Sequence, residues 1–479
     1  MINKYEIVIG LEIHAELNTE SKAYCDCKNA FGLEVNTQVC PICMAFPGTL
    51  PTLNEKVVES AIKMGHALNC TINSVCKQDR KNYFYPDLGR GYQITQAELP
   101  LCANGYLDIM VDGEVRRIGV TRIHIEEDTS KLLHDDSFAG SLIDGNRSCV
   151  PLIEIVSEPD MRSAAEVKAY LETIRSTLLY LGISDCKMQE GSIRCDVNVS
   201  VREFGAKEFG TRVEMKNVHS FSAAYRAVEF EANRQIEVLE SGGTLVQETR
   251  RWDDLKGENF SMRSKENAQD YRYFPEPDLL TIVIDEGMIA ELKANLPELP
   301  NAKVLRYVKE LGLSQVDATL IAESLDKSKL FDDCYATGRC TPKNICNWIL
   351  SDVSKYMNET GKSILETPMT ADRLSRLIAE VEKGTVSNSA AKTVFEEIIL
   401  SGKEPEDVIA EKGLVQNSDT DFLENLAREI LASNEKSVND YKNGKTNALG
   451  FLVGQCMKAS KGKANPGIVK ETVTRMLSE

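Results

Sequence analysis

Strand patterns stop at Asn295-Leu296-Pro297-Glu298-Leu299-Pro300, and the rest of the chain does not return to them. Two closely spaced prolines interrupt any ladder or helix at that point. Before the break, short runs suited to strands alternate with a few helices. The runs are Glu6–Ile13, Leu107–Val111, Ile118–Ile125, Val150–Val156, Cys195–Val201 and Thr211–Met215. After it, apolar residues recur at helical spacing, as in Trp348, Ile349 and Val353, or Leu374, Leu377, Ile378 and Val381. A chain of 479 residues is too long for one core. The pattern predicts an α+β domain with a mixed or antiparallel sheet over 1–294, an all-helical domain over 295–405 and a helical tail over 406–479.

Within the first domain two helices carry clear punctuation. Ser163-Ala164-Ala165-Glu166 reads as a capping box, apolar residues from Val167 to Leu181 follow at helical spacing, and Gly182 closes the helix. A second helix is expected from about Ser222 to Gly242-Gly243.

Two of the strand runs alternate acidic and imidazole side chains. Residues two apart on a strand share a face, so Glu12 points with His14, and His124 with Glu126. Only five histidines exist in the chain, so two of them in such motifs is a concentration. Carboxylate oxygen beside imidazole nitrogen suits a hard divalent cation such as Mg²⁺, although solvent-facing strand residues give the same spacing. Glu154 interrupts an apolar run with Leu152 and Val156 on its own face, which is unusual for a carboxylate. Glu190, Ser192, Arg194 and Asp196 alternate on one further face, as a ligand site or a salt-bridge ladder would. Arg80 and Lys81, among the aromatics of Asp79–Asp87, are candidates to hold phosphate oxygens, against a solvated loop with an aromatic anchor. His66, His134 and His219 read as packing or surface residues.

Cys25, Cys27, Cys40 and Cys43 form a C-x-C…C-x-x-C constellation. Close pairs separated by a loop are how a Cys₄ site for structural Zn²⁺ is assembled; four free thiols are the alternative. Such a closed site leaves no coordination position for chemistry. The chain carries 14 cysteines, but the opening Met1–Glu6 enters a strand pattern directly and lacks the apolar core of a signal peptide. The expectation is a cytoplasmic protein without disulfides. No apolar run approaches the roughly 20 residues of a membrane span.

A net charge of −17 excludes a surface that wraps nucleic acid all round, yet leaves room for a local basic patch. That patch falls in the tail, where Lys442, Lys445, Lys458, Lys461 and Lys463 lie among Gly, Asn and Ser. A lysine-rich solvated helix pair would have the same composition. Asn443-Gly444-Lys445-Thr446 lacks the earlier glycine of a P-loop, and Gly89-Arg90-Gly91 does not complete a dinucleotide fingerprint. A nucleotide, if bound, must be held by metal and side chains on a sheet.

Taken together, Val8–His14, Asp79–Asp87, Arg122–Asp128, Pro151–Asp160, Gly191–Asp196 and Asp270–Asp278 resemble the signature blocks of the GatB/GatE family, the B subunit of the bacterial-type aspartyl/glutamyl-tRNA amidotransferase. Asn347–Leu350, Gly384–Ser387 and a YqeY-like tail extend the resemblance over essentially the whole chain. It implies a glutamine-synthetase-like cradle domain, then the helical domain and a tail that contacts tRNA. It implies a heterotrimer with an A subunit, which releases ammonia from glutamine, and a C subunit. ATP and Mg²⁺ would serve to phosphorylate the side-chain carboxylate of Glu-tRNA(Gln) or Asp-tRNA(Asn) before amidation. The family's metal ligands and catalytic groups fall on Glu12, His14, Glu127 and Glu154, with Glu126, Glu190, Arg194 and Arg272 as further ATP or substrate candidates. Alternation along the strand puts Glu126, not Glu127, beside His124; Glu127 joins that face only if the strand ends or bulges there. No amidase signature is present, so glutamine hydrolysis is not expected of this chain. The competing readings are a non-catalytic tRNA-binding scaffold and, more remotely, a stand-alone metal hydrolase.

Overall fold

The computed structural model describes residues 4–134, 140–264, 270–416, 420–442, 445–460 and 464–478. The chain divides into two compact units, Met1–Ala302 and Lys303–Glu479.

The first unit is built on a nine-stranded sheet. Its strands are β1 (Tyr5–Glu16), β2 (Thr71–Ile72), β3 (Cys102–Val111), β4 (Glu114–Glu127), β5 (Pro151–Ser157), β6 (Ile193–Glu203), β7 (Val213–Val218), β8 (Glu248–Asp253) and β9 (Glu258–Ser264). They lie in the order β9-β8-β7-β6-β1-β5-β4-β3-β2. Neighbours are antiparallel except β7 and β8, which run parallel, so the sheet is mixed and the domain is α+β as expected.

Helices α1 (Glu55–Ala67), α2 (Ala164–Tyr180) and α3 (Phe221–Glu240) pack on one face of this sheet. Ile9, Leu11 and Ile13 of β1 join Ile123, Ile125, Ile153, Ile155, Val197 and Val199 in that core. A one-residue slip of β1 would move its three apolar side chains to the other face, costing on the order of 6 kcal/mol at about 2 kcal/mol each. That cost fixes the register, and with it the position of every even-numbered side chain opposite. The Ser163 hydroxyl caps α2 through the Glu166 N–H (3.2 Å), and the Glu166 carboxylate reaches back to the Arg162 N–H. Gly182, at φ +65°, takes the left-handed turn that ends the helix.

The second unit is helical throughout its described residues and has two apolar centres. One joins residues from Tyr307 to Ile409, including Trp348, Ile349 and Val353; the other runs from Leu423 to Leu477. Residues Ile349–Val353 form a widened π turn, with the Ser354 hydroxyl bonded to the Ile349 carbonyl (2.7 Å). Helix Pro405–Glu411, which the sequence pattern assigns to the tail, instead sends Val408 and Ile409 into the first centre. Proline at its first turn marks a helix start, not a boundary between cores. Among the described residues no helix is long and apolar enough to cross a membrane.

Candidate functional site

The sheet face opposite the helices carries polar side chains from four adjacent strands. Antiparallel register sets Arg194 of β6, His14 of β1, Glu154 of β5 and His124 of β4 in one row. In the resulting geometry the His14 Nε2 lies 3.4 Å from Glu154 Oε2 and 4.0 Å from Glu126 Oε2. His124 approaches Glu154 from the other side at 3.5 Å. One ligand atom each from His14, Glu126 and Glu154 falls within 4.8 Å of the others, an N,O₂ donor set suited to a hard divalent cation.

The electrostatics of the cluster are uneven. Burial opposes ionisation of Glu154, but His124, His14 and Lys81 outweigh it and hold its carboxyl well below the usual range. Glu126 is raised by burial, which Lys81 and His14 only partly offset. His14 is raised despite burial because Glu154 and Glu126 face it, whereas burial drives His124 down to about 4. His124 is therefore a neutral imidazole at pH 7, and His14 is the more exposed of the two rings.

Lys81, from the short strand Asp79–Asn82, reaches Glu126 at 3.3 Å and lies under the ring of Tyr271. Arg194 borders the cluster on β6; its guanidinium bonds Asp128 (2.9 Å), while its buried Nε has no partner among the described residues. Glu12 sits beside this group, accepting from Asn198 (3.1 Å) and sharing a second carboxylate set with Asp196 and Glu214. Lys216 already occupies that second set, 2.5 Å from Asp196 and 3.0 Å from Glu214.

Three expectations need correction. Glu127 does not face the cluster: the β4–β5 register runs unbroken from Pro151↔Glu127 through Val156, and the only irregularity lies at the other end, at Ser157. Period two therefore turns Glu127 to the helix side, where it meets Arg90, the Ile94 N–H (2.9 Å) and the Cys149 thiol (3.0 Å). Arg80 is not available to phosphate. Its guanidinium forms a fork with buried Glu276 (2.7 Å twice), bonds Asp278 and stacks on Tyr92. Glu190 lies in a turn, 3.3 Å from Lys187, away from the cluster.

Arg272 is exposed at φ +45° with no side-chain partner among the described residues. His66 contacts the Ile289 carbonyl and His219 the Asn217 side chain, so neither joins the site. The His134 side chain, Lys461 and Lys463 lie outside the described residues. In the tail, Lys442, Lys445 and Lys458 are exposed.

Sequence reasoning missed Glu16 and Asp128. Burial and the adjacent Asp128 push Glu16 up to about 8, while Arg194 and Arg147 hold Asp128 low against its own burial. Glu16 continues the alternation of Glu12 and His14 on β1, which was the available signal.

The sulfurs of Cys25, Cys27, Cys40 and Cys43 also gather within 4.8 Å of one another. Cys43 Sγ lies 3.8 Å from Cys40 Sγ and 4.0 Å from Cys27 Sγ. A tetrahedron with metal–sulfur bonds of about 2.3 Å has edges of about 3.8 Å, so the set fits a structural metal. A hydrogen bond from Cys25 lowers Cys43 to about 5 against its burial, helped by the Cys40 N–H (3.1 Å) and Lys22. Lys22 is fully buried, with its ammonium on the Gln38 and Gly145 carbonyls and 3.8 Å from Cys43 Sγ.

The family model described as the GatB/GatE catalytic domain matches residues 7–290, and one described as the GatB domain matches residues 329–477. The chain belongs to the GatB/GatE family. Its likeness to proteins named as the B subunit of aspartyl/glutamyl-tRNA(Asn/Gln) amidotransferase runs from end to end. It is 54% identical to that of Thermoanaerobacter pseudethanolicus over 99% of this chain and all of the relative. Identity is 53% with the Caldicellulosiruptor saccharolyticus protein, over 99% of this chain and the whole relative. It is 51% with that of Geobacter sulfurreducens, over 99% of each. The His14–Glu126–Glu154 cluster and the cysteine quartet both fall inside the matched catalytic domain.

Proposed function

We propose that this chain is the B subunit of a tRNA-dependent amidotransferase, a ligase active within a complex, and that its polar sheet face activates the amino acid. The observation that carries the reading is the convergence of His14, Glu126 and Glu154 on a face bordered by Lys81 and Arg194, in a chain matching such subunits over its full length. The partners are an A subunit that supplies ammonia, a C subunit, and tRNA(Gln) or tRNA(Asn) misacylated with Glu or Asp.

His14, Glu126 and Glu154 would hold Mg²⁺, with Glu12 beside them. The bound ion supplies charge neutralisation across the phosphates of ATP. Lys81 and Arg194 are the cations assigned to phosphate oxygens, the first as a point charge and the second as a fork. The substrate carboxylate attacks the γ-phosphorus, the bond to the ADP oxygen breaks, and an acyl phosphate results. Ammonia then attacks the acyl carbon, inorganic phosphate leaves and the amide remains. The three side-chain ligands fix the geometry of that transfer, and neutral His124 supports Glu154. The test is to assemble the chain with its A and C partners and assay both misacylated tRNAs with and without ATP. Amide formation that needs no ATP would refute the reading.

The tail is assigned to tRNA phosphates. Replacing Lys442, Lys445 and Lys458 together by glutamate should weaken tRNA binding about tenfold or more and flatten its logarithmic salt dependence by about 2. Unchanged affinity in filter binding across a salt series would exclude that role.

The cysteine quartet is assigned a structural Zn²⁺. Four thiolates around a divalent ion leave net negative charge, which the buried Lys22 ammonium offsets. Lys22→Met should therefore lower zinc affinity roughly 10–100-fold in competition with a chelator, and Lys22→Arg less. An affinity equal to that of the unaltered protein would show that Lys22 merely packs.

A further inference from the structure

Glu127 is a carboxylate on the core side of a strand, next in sequence to a residue of the proposed metal cluster. We propose that Glu127, with Arg90 and Cys149, is a positioning group that ties the end of β4 to the cysteine loop and thereby places the Glu126 carboxylate. The proposal rests on the metal-site reading given above.

Every oxygen of Glu127 is engaged. Arg90 binds both carboxylate oxygens, the Ile94 N–H and the Cys149 thiol take one each, and the Gln93 amide donates to the main-chain carbonyl at 2.5 Å. Burying an ion pair in a core that also holds Ile123 and Ile125 is not the cheapest way to fill the space. What the pair adds is direction: one Arg90 nitrogen set across both carboxylate oxygens and two further donors restrict the orientation of the strand end, where an apolar side chain would admit several. Glu126 and Glu127 share a peptide bond, so the strand twist that seats Glu127 on its donors sets where Glu126 meets His14 and Lys81.

The donors are in turn placed by the cysteine loop. Ile94 and Cys149 share a small apolar cluster with Ala23, Tyr24, Cys25 and Cys43. The Cys149 carbonyl accepts from the Ala23 N–H (2.9 Å), and its own N–H donates to the Asp128 carbonyl (3.1 Å), immediately after Glu127. Cys149 holds φ +64°, a conformation that a non-glycine residue keeps only when its surroundings impose it. An unbroken path thus runs from the cysteine loop through Cys149 and Glu127 to Glu126.

The test uses the full chain in its assembled complex, with Mn²⁺ alone as the probe, read by electron paramagnetic resonance, and ATP kinetics measured separately. Glu127→Gln should weaken Mn²⁺ binding and raise the KM for ATP about tenfold while kcat changes less than threefold. Glu126→Gln should abolish Mn²⁺ binding and lower kcat at least 100-fold. Cys149→Ser, which keeps a donor, should fall between Glu127→Gln and the unaltered protein, and it stands in for Glu127→Gln if that variant does not fold. Mn²⁺ binding lost as completely in Glu127→Gln as in Glu126→Gln would make Glu127 a direct ligand and overturn the proposal. So would an unchanged Mn²⁺ affinity and KM in both bridge variants. Indifference of Mn²⁺ affinity to both Glu126→Gln and Glu154→Gln would overturn the metal-site reading itself.

Discussion

Glu154→Gln should lower transamidation by the assembled enzyme about 10³-fold while tRNA affinity stays within twofold. The substitution preserves volume and one acceptor but removes the charge that lies 3.4 Å from His14 and 3.5 Å from His124. Neutralising phosphoryl charge through a bound cation contributes several kcal/mol, and each 1.4 kcal/mol is tenfold in rate, which sets the expected size. The fold should tolerate the change. Glu154 projects to the polar face, and Ile153 and Ile155 on either side of it carry the core packing. Single-turnover formation of amidated aminoacyl-tRNA, alongside filter binding of the same tRNA, separates chemistry from recognition. A variant that amidates at the rate of the unaltered protein would leave the chain as a tRNA-binding scaffold.

The alternation of β1 and β4 was legible without any structure because one apolar face and one polar face are written at period two. It set Glu126, not Glu127, on the face of His124, while family resemblance carried over position by position pointed to Glu127. A one-residue ambiguity in a strand is a choice of face, and the unbroken register to Pro151 decides it. Arg80 shows the opposite limit. Its partner Glu276 lies far along the chain, so nothing local distinguishes a phosphate clamp from a structural ion pair. The central position of β1 between β5 and β6 was equally hidden, because strand order depends on long-range pairing. Lys22 reads as one lysine among many until burial places it against Cys43. The sequence pattern starts the tail at 406 because Pro405 signals a helix start, whereas the core to which Val408 and Ile409 belong is set by distant helices.

Cys43→Ser should cost the protein its zinc, from about one equivalent to near none, and lower the melting temperature by on the order of 5–10 °C. The reason is the scarcity of anything else to order the loop. Phe31, Leu33 and Val35 between the two cysteine pairs, and Phe46 and Leu50 just beyond the second, are all exposed, so apolar burial contributes little to ordering the loop. Among the described residues the buried apolar cluster there is Ala23, Tyr24, Cys25, Cys43, Ile94 and Cys149, with a few partly buried neighbours such as Val39 and Ile42, much too small to fold this length of chain alone. Cys43 is the sulfur with most support, receiving the Cys40 N–H and facing Lys22, so its loss removes a ligand and leaves a buried ammonium without its counter-charge. Metal content by atomic emission and limited proteolysis of residues 28–50 report the two consequences independently. No zinc in the unaltered protein, with proteolysis unchanged by Cys43→Ser, would show that the four sulfurs are thiols packed by chance geometry. Zinc loss with an unchanged KM for ATP would instead confine the metal to its loop and sever the path that leads from Cys149 to Glu126.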